Sequence, residues 1–247
     1  GLPALKGVDL AIQAGEILGI AGVGGNGQTE LAEALSGVRP ITRGRIIVSG
    51  AEMTGASPAQ LSAVGVGRIP EDRHEGLVGE LTVAENLALE HLHTFVQGGR
   101  LDRQAIRAHA EALIDQFQIK ARPTDRTRTL SGGNMQKLLL ARVLSRQPKV
   151  VIAPQPTRGL DVGATEYVRR QLLEQRAGGA GVLLISEDLD EILALSDRIA
   201  VMYEGEIVGV VPAREADVEH LGLMMSGAVR QTPKTATANV TEGTASL

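Results

Sequence analysis

Two turns in this chain set glycines beside hydroxyl side chains in the arrangement that anion binding requires. The first, Gly22-Val23-Gly24-Gly25-Asn26-Gly27-Gln28-Thr29, follows an apolar run and opens a helical pattern. Its spacing is that of a phosphate-binding loop, GxxxxGK[ST], with Gln28 where the lysine belongs. The glycines let backbone N–H groups close around phosphates, and Thr29 is the candidate Mg²⁺ ligand. Gln28 supplies no positive charge. Taken alone, the segment reads equally well as a glycine-rich strand–helix turn that binds nothing. The second turn is Leu130-Ser131-Gly132-Gly133-Asn134-Met135-Gln136-Lys137. A Ser followed by a Gly pair, opening an apolar helix, presents unpaired N–H groups and a hydroxyl at a helix N-terminus, a ready anion site.

The elements that must hold these turns follow from hydrophobic patterning. Residues 17–20, 46–48, 150–152, 182–185 and 199–202 are short apolar runs without alternation, which read as strands of a parallel sheet buried on both faces. Helical patterns separate them: 29–35, closed by Gly37 at the C′ position, then 163–176 and 188–195. The βα order gives an α/β fold. From about 72 to 148 the pattern changes to helix after helix, over 82–93, over 132–147, and in a stripe of Ile106, Ala110, Leu113 and Phe117 behind an N-cap at Asp102. This insert reads as an all-helical subdomain of a domain covering 1–227. Residues 228–247 are polar, rich in Thr and Ala and without periodicity, and read as a disordered tail. Its Asn239-Val240-Thr241 sequon carries no weight without a signal peptide.

Composition narrows the function. The chain has 247 residues, 43% hydrophobic, enough for one compact domain with a sizeable core. A net charge of -4 argues against a nucleic-acid partner. The absence of cysteine excludes disulfides and thiolate metal sites and fits a reducing compartment. Two Phe, two Tyr and no Trp leave almost no platform for stacking bases or sugars. No apolar run approaches the roughly 20 residues that span a bilayer, so any membrane role runs through a membrane partner. His91 and His93, at i and i+2 of a predicted helix, point apart, and His74 reads as a solvated loop residue.

The order of the motifs resembles that of an ABC-transporter ATPase. After the phosphate-binding loop, Leu130–Lys137 is similar to the LSGGQ signature, which touches the γ-phosphate of ATP held by a partner domain. KVVIAPQPTRGLDVG, residues 149–163, resembles the Walker B strand and the D-loop with Gly159, Leu160 and Asp161. LLISEDLDE, residues 183–191, resembles the switch strand and its helix, and 201–211 a closing hairpin around Glu204-Gly205. The wording GRIPEDRHEGLV, LSGGNMQK and QPTRGLDVGA is similar to the C-terminal ATP-binding half of bacterial importers for simple sugars and nucleosides. The resemblance implies ATP and Mg²⁺ as cofactors, with Gly22, Gly24, Gly25, Asn26, Gly27, Gln28 and Thr29 as the chain's own nucleotide set. It implies Ser131, Gly132, Gly133, Asn134 and Gln136 as the set facing a partner's ATP. It implies a second ABC domain and permease subunits as partners, a substrate-binding protein indirectly, and a peripheral place on the cytoplasmic face of the bacterial membrane. It also places an adenine-stacking aromatic on a first strand upstream of the residues seen here.

The departures from the family pattern are as specific as the matches. Gln28 replaces the Walker A lysine, Glu71 the Q-loop glutamine, Pro154 the Walker B aspartate, Gln155 the catalytic glutamate and Glu187 the switch histidine. Phosphoryl transfer depends on charge neutralisation and positioning, and each change removes one such service. The expectation is a half whose signature serves a partner site while its own site is degenerate. A shifted register, with Asp161 or Glu187-Asp188 as metal ligand or base, is the alternative to these departures. For the whole chain the alternatives are a regulatory module that binds no nucleotide and a soluble ABC ATPase outside transport. Leu77, Val78 and Leu81 are expected either to meet a permease or to seal the subdomain core.

Overall fold

The computed structural model describes residues 4–231. Among them, β1 (Ile17–Ala21) runs fully buried into the glycine-rich loop, and α1 (Gln28–Leu35) leaves it. A small antiparallel pair, β2 (Ile47–Val48) and β3 (Ala51–Glu52), comes next. Then follow α2 (Pro58–Ala63), β4 (Val66–Arg68), α3 (Arg73–Gly76) and α4 (Val83–Ala88). A 3₁₀ segment leads to the hairpin β5 (Val96–Gln97) and β6 (Arg100–Leu101), and then to α5 (Arg103–Gln116) and α6 (Gly132–Leu144). The chain returns to the core through β7 (Val150–Pro154), α7 (Val162–Ala177), β8 (Gly181–Ser186), α8 (Leu189–Leu195), β9 (Arg198–Tyr203), β10 (Glu206–Pro212) and α9 (Val218–Met225).

The main sheet has the order β10-β9-β1-β8-β7-β4, parallel throughout except for β10. β1 lies between β8 and β9, with Ile17 opposite Val182 and Leu18 opposite Arg198. Its alternate residues feed the two faces. Ile17 and Ala21 join the large core under α6, α7 and α8, while Leu18 and Ile20 pack with Leu31 and Ala32 of α1. The apolar runs at 17–20, 150–152, 182–185 and 199–202 therefore lie in sheet strands, and the α/β reading holds.

Four expectations need correction. The run at 46–48 is not a buried parallel strand. Ser49 and Gly50, at φ 49° and 81°, turn the chain back after two residues, and Ile47 is 58% exposed. The insert is not all helical. Gly98 and Gly99, both at positive φ, form a tight turn between β5 and β6, and the helix expected over 82–93 gives way to 3₁₀ geometry with a kink at His91. His74 lies on the one-turn α3, capped by Asp72, rather than in a loop. Residues 228–231, expected in the disordered tail, are ordered. Ala228 N–H donates to Leu223 O and Gln231 N–H to Val208 O, so 228–231 still pack on β10 and α9, and residues 232–247 of the expected disordered tail lie outside the described residues. Asp102 does cap α5, accepting from Gln104 and Ala105, and the predicted stripe is buried.

Candidate functional site

The first turn is a loop closed on itself. Gln28 is 8% exposed, and its side chain folds back over the preceding residues. Gln28 Oε1 accepts from the backbone N–H of Asn26 at 3.0 Å, and Gln28 Nε2 donates to Val23 O at 2.9 Å. Asn26 Nδ2 donates to the same Val23 carbonyl at 3.0 Å. Asn26 Oδ1 accepts from Glu204 N at 2.8 Å, and Asn26 O accepts from Gly205 N, fixing the loop to the β9–β10 turn. A side chain on Gly22 would collide with Gln28 Nε2 and Met202 O, at 2.5 and 2.7 Å, so this glycine serves the folded-back amide. Gly27 enters α1 at φ 106°, a left-handed conformation that costs glycine nothing. Gly25 is open to solvent and Thr29 is exposed.

The strand ends facing this loop carry little that would bind a cation. Pro154 closes β7 opposite Ile185. Gln155 follows at φ 46°, with its N–H on Ile185 O, and its Oε1 accepts from Glu187 N at 3.4 Å. Glu187 leans across the loop, so that a methyl on Gly24 would sit 2.6 Å from Glu187 Oε1. Of the other carboxylates that a shifted register would recruit, Asp161 and Asp188 are engaged elsewhere. Asp161 Oδ1 accepts from Ala164 N at 2.8 Å and caps α7. Asp188 caps α8 and lies 3.5 Å from Arg169. Among the described residues, no three His, Asp or Glu side chains gather as a metal site.

The second turn is open. Ser131 is exposed and caps the 13-residue α6. Its Oγ accepts from Asn134 Nδ2 at 3.0 Å, while Asn134 Oδ1 accepts from Lys120 N at 2.8 Å. Gly132 and Gly133 form the first turn, where N–H groups have no partner within the helix. A methyl on Gly133 would lie 3.3 Å from Ala164 Cβ, tight against the start of α7. Gln136 departs from expectation: it is 4% exposed and donates from Nε2 to Pro156 O at 2.9 Å, so it ties α6 to the loop after β7 and faces no partner. Its spacing was the available signal, since Gln136 lies three and four residues before Leu139 and Leu140, both fully buried. Lys137 donates to Gln118 O at 3.0 Å and sits 4.5 Å above the Tyr167 ring, and burial holds its pKa below the usual lysine value. Burial likewise pushes the Tyr167 phenol up to about 12, and its hydroxyl donates to Phe117 O at 2.8 Å.

The D-loop lies against this open turn. Arg158 pairs with Glu71 at 2.7 Å, so Glu71 holds a guanidinium instead of facing a metal. Arg73 Nη1 donates to Arg158 O at 3.1 Å and lies alongside Gly132 and Gly159. Sequence reasoning passed over Arg73, which no periodicity marks. Of the apolar residues after Glu71, Leu77 is buried in the core and Val78 is 46% exposed, with its backbone held by Asn86.

Among the described residues, no helix is long and apolar enough to cross a membrane. Residues 5–158 match the sequence profile of the family described as ABC transporter. A glucose import ATP-binding protein of Haloferax volcanii is 49% identical, over 92% of this chain and 42% of its own length. A nucleoside import ATP-binding protein of Lactococcus lactis is 44% identical, over 90% of this chain and 45% of its own. A guanosine import ATP-binding protein of Bacillus subtilis is 42% identical, over 94% and 46% respectively. The chain thus spans less than half the length of these relatives. A nucleotide-free ATP-binding cassette of an ABC transporter shares the fold, with a TM-score of 0.75 over 92% of this chain and 90% of its own, at 24% identity. With the loop, signature and sheet order in place, the chain belongs to the ABC transporter family as an ATP-binding domain, similar to the ATP-binding proteins of sugar and nucleoside importers.

Proposed function

We propose that this chain is an ATP-binding half of an importer for a simple sugar or nucleoside, lending its signature to a partner's ATP while its own nucleotide site is retired. The observation that carries this is Gln28. Its amide occupies the inside of its own loop and consumes the Asn26 N–H. A magnesium-bound triphosphate calls for a cation on the β/γ-phosphates and a carboxylate at the metal. This loop is met instead by Gln28, Pro154, Gln155 and the Glu187 carboxylate, which does not fit that group. Ser131, Gly132 and Gly133 do suit an anion: the open N-terminus of α6 directs N–H groups and the positive end of its dipole outward. Val162, at the start of α7 directly after Asp161 and 77% exposed, and Val23, on the first turn and 56% exposed, are apolar residues that a second ABC domain would cover.

In this reading the chain hydrolyses ATP as one half of an assembly, peripheral to the membrane, with permease subunits docking near Val78. Leu77 seals the core and makes no such contact. The isolated chain is expected to show little or no ATPase activity, and the complete protein to co-purify with membrane subunits. Turnover within about tenfold of an intact ABC domain, abolished by changing Thr29, would contradict the retired site. Crosslinks from Val78 that never reach a permease would remove the docking.

A further inference from the structure

We infer that Arg73 is a positioning residue for the signature: with Glu71 it clasps the D-loop at Arg158 and so sets where Ser131, Gly132 and Gly133 stand. The inference rests on the proposed use of that signature by a partner's nucleotide, and it gives Glu71 a role that metal binding does not.

Residues 71–73 leave β4 and enter the helical subdomain, whereas Arg158 and Gly159 belong to the loop between β7 and α7. Two contacts join the segments in a reciprocal clasp. The Glu71 carboxylate takes the Arg158 guanidinium at 2.7 Å, and the Arg73 guanidinium takes the Arg158 carbonyl at 3.1 Å. Arg73 then lies along two glycine backbones. A methyl on Gly132 would be 3.5 Å from Arg73 Nε and Nη2, and one on Gly159 would be 3.7 Å from Nη2. The flat guanidinium therefore lies at van der Waals distance from both turns, and a planar fork suits the gap better than an ammonium.

The placement runs against simple electrostatics. A helix N-terminus favours anions and disfavours cations, yet Arg73 stands at the N-terminus of α6. Its Nε is buried without a hydrogen-bond partner among the described residues. A cation so placed is tolerable when it serves the geometry of both loops, and it adds positive potential where the partner's phosphate would arrive. Gln136 to Pro156 O is a direct polar tie between α6 and the loop after β7. It is buried, so the exposed ends of the two loops are left to the clasp.

The test uses the assembled importer carrying this chain at full length, with kcat and KM for ATP measured separately. Arg73→Ala should lower kcat about tenfold while KM stays within about twofold, because the partner's own loop holds the nucleotide. Glu71→Gln should cost about threefold, as an exposed pair contributes little. Arg73→Lys keeps the charge but loses the fork, and should resemble Arg73→Ala. Should Arg73→Ala fail to fold, Arg73→Lys carries the same expectation. The charge swap Glu71→Arg with Arg158→Glu should recover most of the loss of either single change. Wild-type kcat in both Arg73 variants, a change in KM alone, or additive losses in the swap would overturn the clasp. Ser131→Arg runs alongside as the control. If it abolishes turnover while the Arg73 variants are intact, the clasp alone is wrong. If it is silent, the shared use of the signature falls and takes the clasp with it.

Discussion

The loop around Gln28 and the turn around Ser131 are both glycine-rich helix starts, and they have opposite fates. At the first, the side chain that should reach outward turns inward, the N–H of Asn26 is consumed, and a carboxylate from Glu187 lies across Gly24. At the second, Ser131 is exposed, the two half-buried glycines leave their N–H groups without a partner in the helix, and the neighbouring side chains hold the turn in place: Asn134 on Ser131 and Lys120, Gln136 on Pro156, Arg73 on Arg158. Glycine content does not distinguish a phosphate cradle from a plain turn. The polar side chains around it do, by leaving the N–H groups free or taking them.

The comparison can be broken most forcefully at Gln28. Gln28→Lys removes the internal staple, frees the Asn26 N–H and restores a cation, whose Coulomb gain near a surface is about 4 kcal/mol at 4 Å before desolvation. Mg-ATP should bind measurably tighter to the variant by calorimetry. Unchanged affinity would mean that the loop is not shaped as a cradle even when opened. A smaller effect is expected at the other end. Gln136→Ala leaves the buried Pro156 carbonyl without its donor, at a cost of about 1–3 kcal/mol in urea denaturation. A cost near zero would show that α6 does not rely on this tie. Tyr167→Phe should cost least, about 0.5–1.5 kcal/mol, for the bond from α7 to Phe117 at the end of α5. The pH dependence has a definite sign. The folded phenol titrates at about 12, above its ordinary value of 10.0, so its stabilisation is complete below pH 10 and is lost as pH rises through 12. Tyr167→Phe should flatten the alkaline fall in stability measured by thermal unfolding, and an unchanged alkaline limb would refute the assignment.

Much of this molecule was legible in its sequence where burial is two-sided. β1, β7, β8 and β9 announce themselves because every residue of a central parallel strand meets a core, and Asp102 marks α5 because a capped helix must satisfy its first N–H groups. Patterning does not mark β4, since Val-Gly-Arg is three half-buried residues, and only the family resemblance implies a strand ending at Arg68-Ile69-Pro70. β5 and β6 were hidden inside a helical stretch, although Gly98-Gly99 was the turn signal. At the site, residue identity exposed the changes at Gln28, Pro154, Gln155 and Glu187, but not what the side chains do instead. That Gln28 folds inward, that Glu71 meets Arg158 and that Arg73 lies between two glycines are matters of loop direction. No periodicity encodes them.

The central claim is the division between a retired loop and a working signature, and one pair of variants addresses it. ATPase and transport of the full assembly should be compared for Ser131→Arg and Gln155→Ala. The account predicts that Ser131→Arg, which puts a bulky side chain at the exposed N-terminus of α6, abolishes both activities. Gln155→Ala, at a strand end that already lacks a base, should leave both close to wild type. Equal losses in the two variants, or a silent Ser131→Arg, would contradict it.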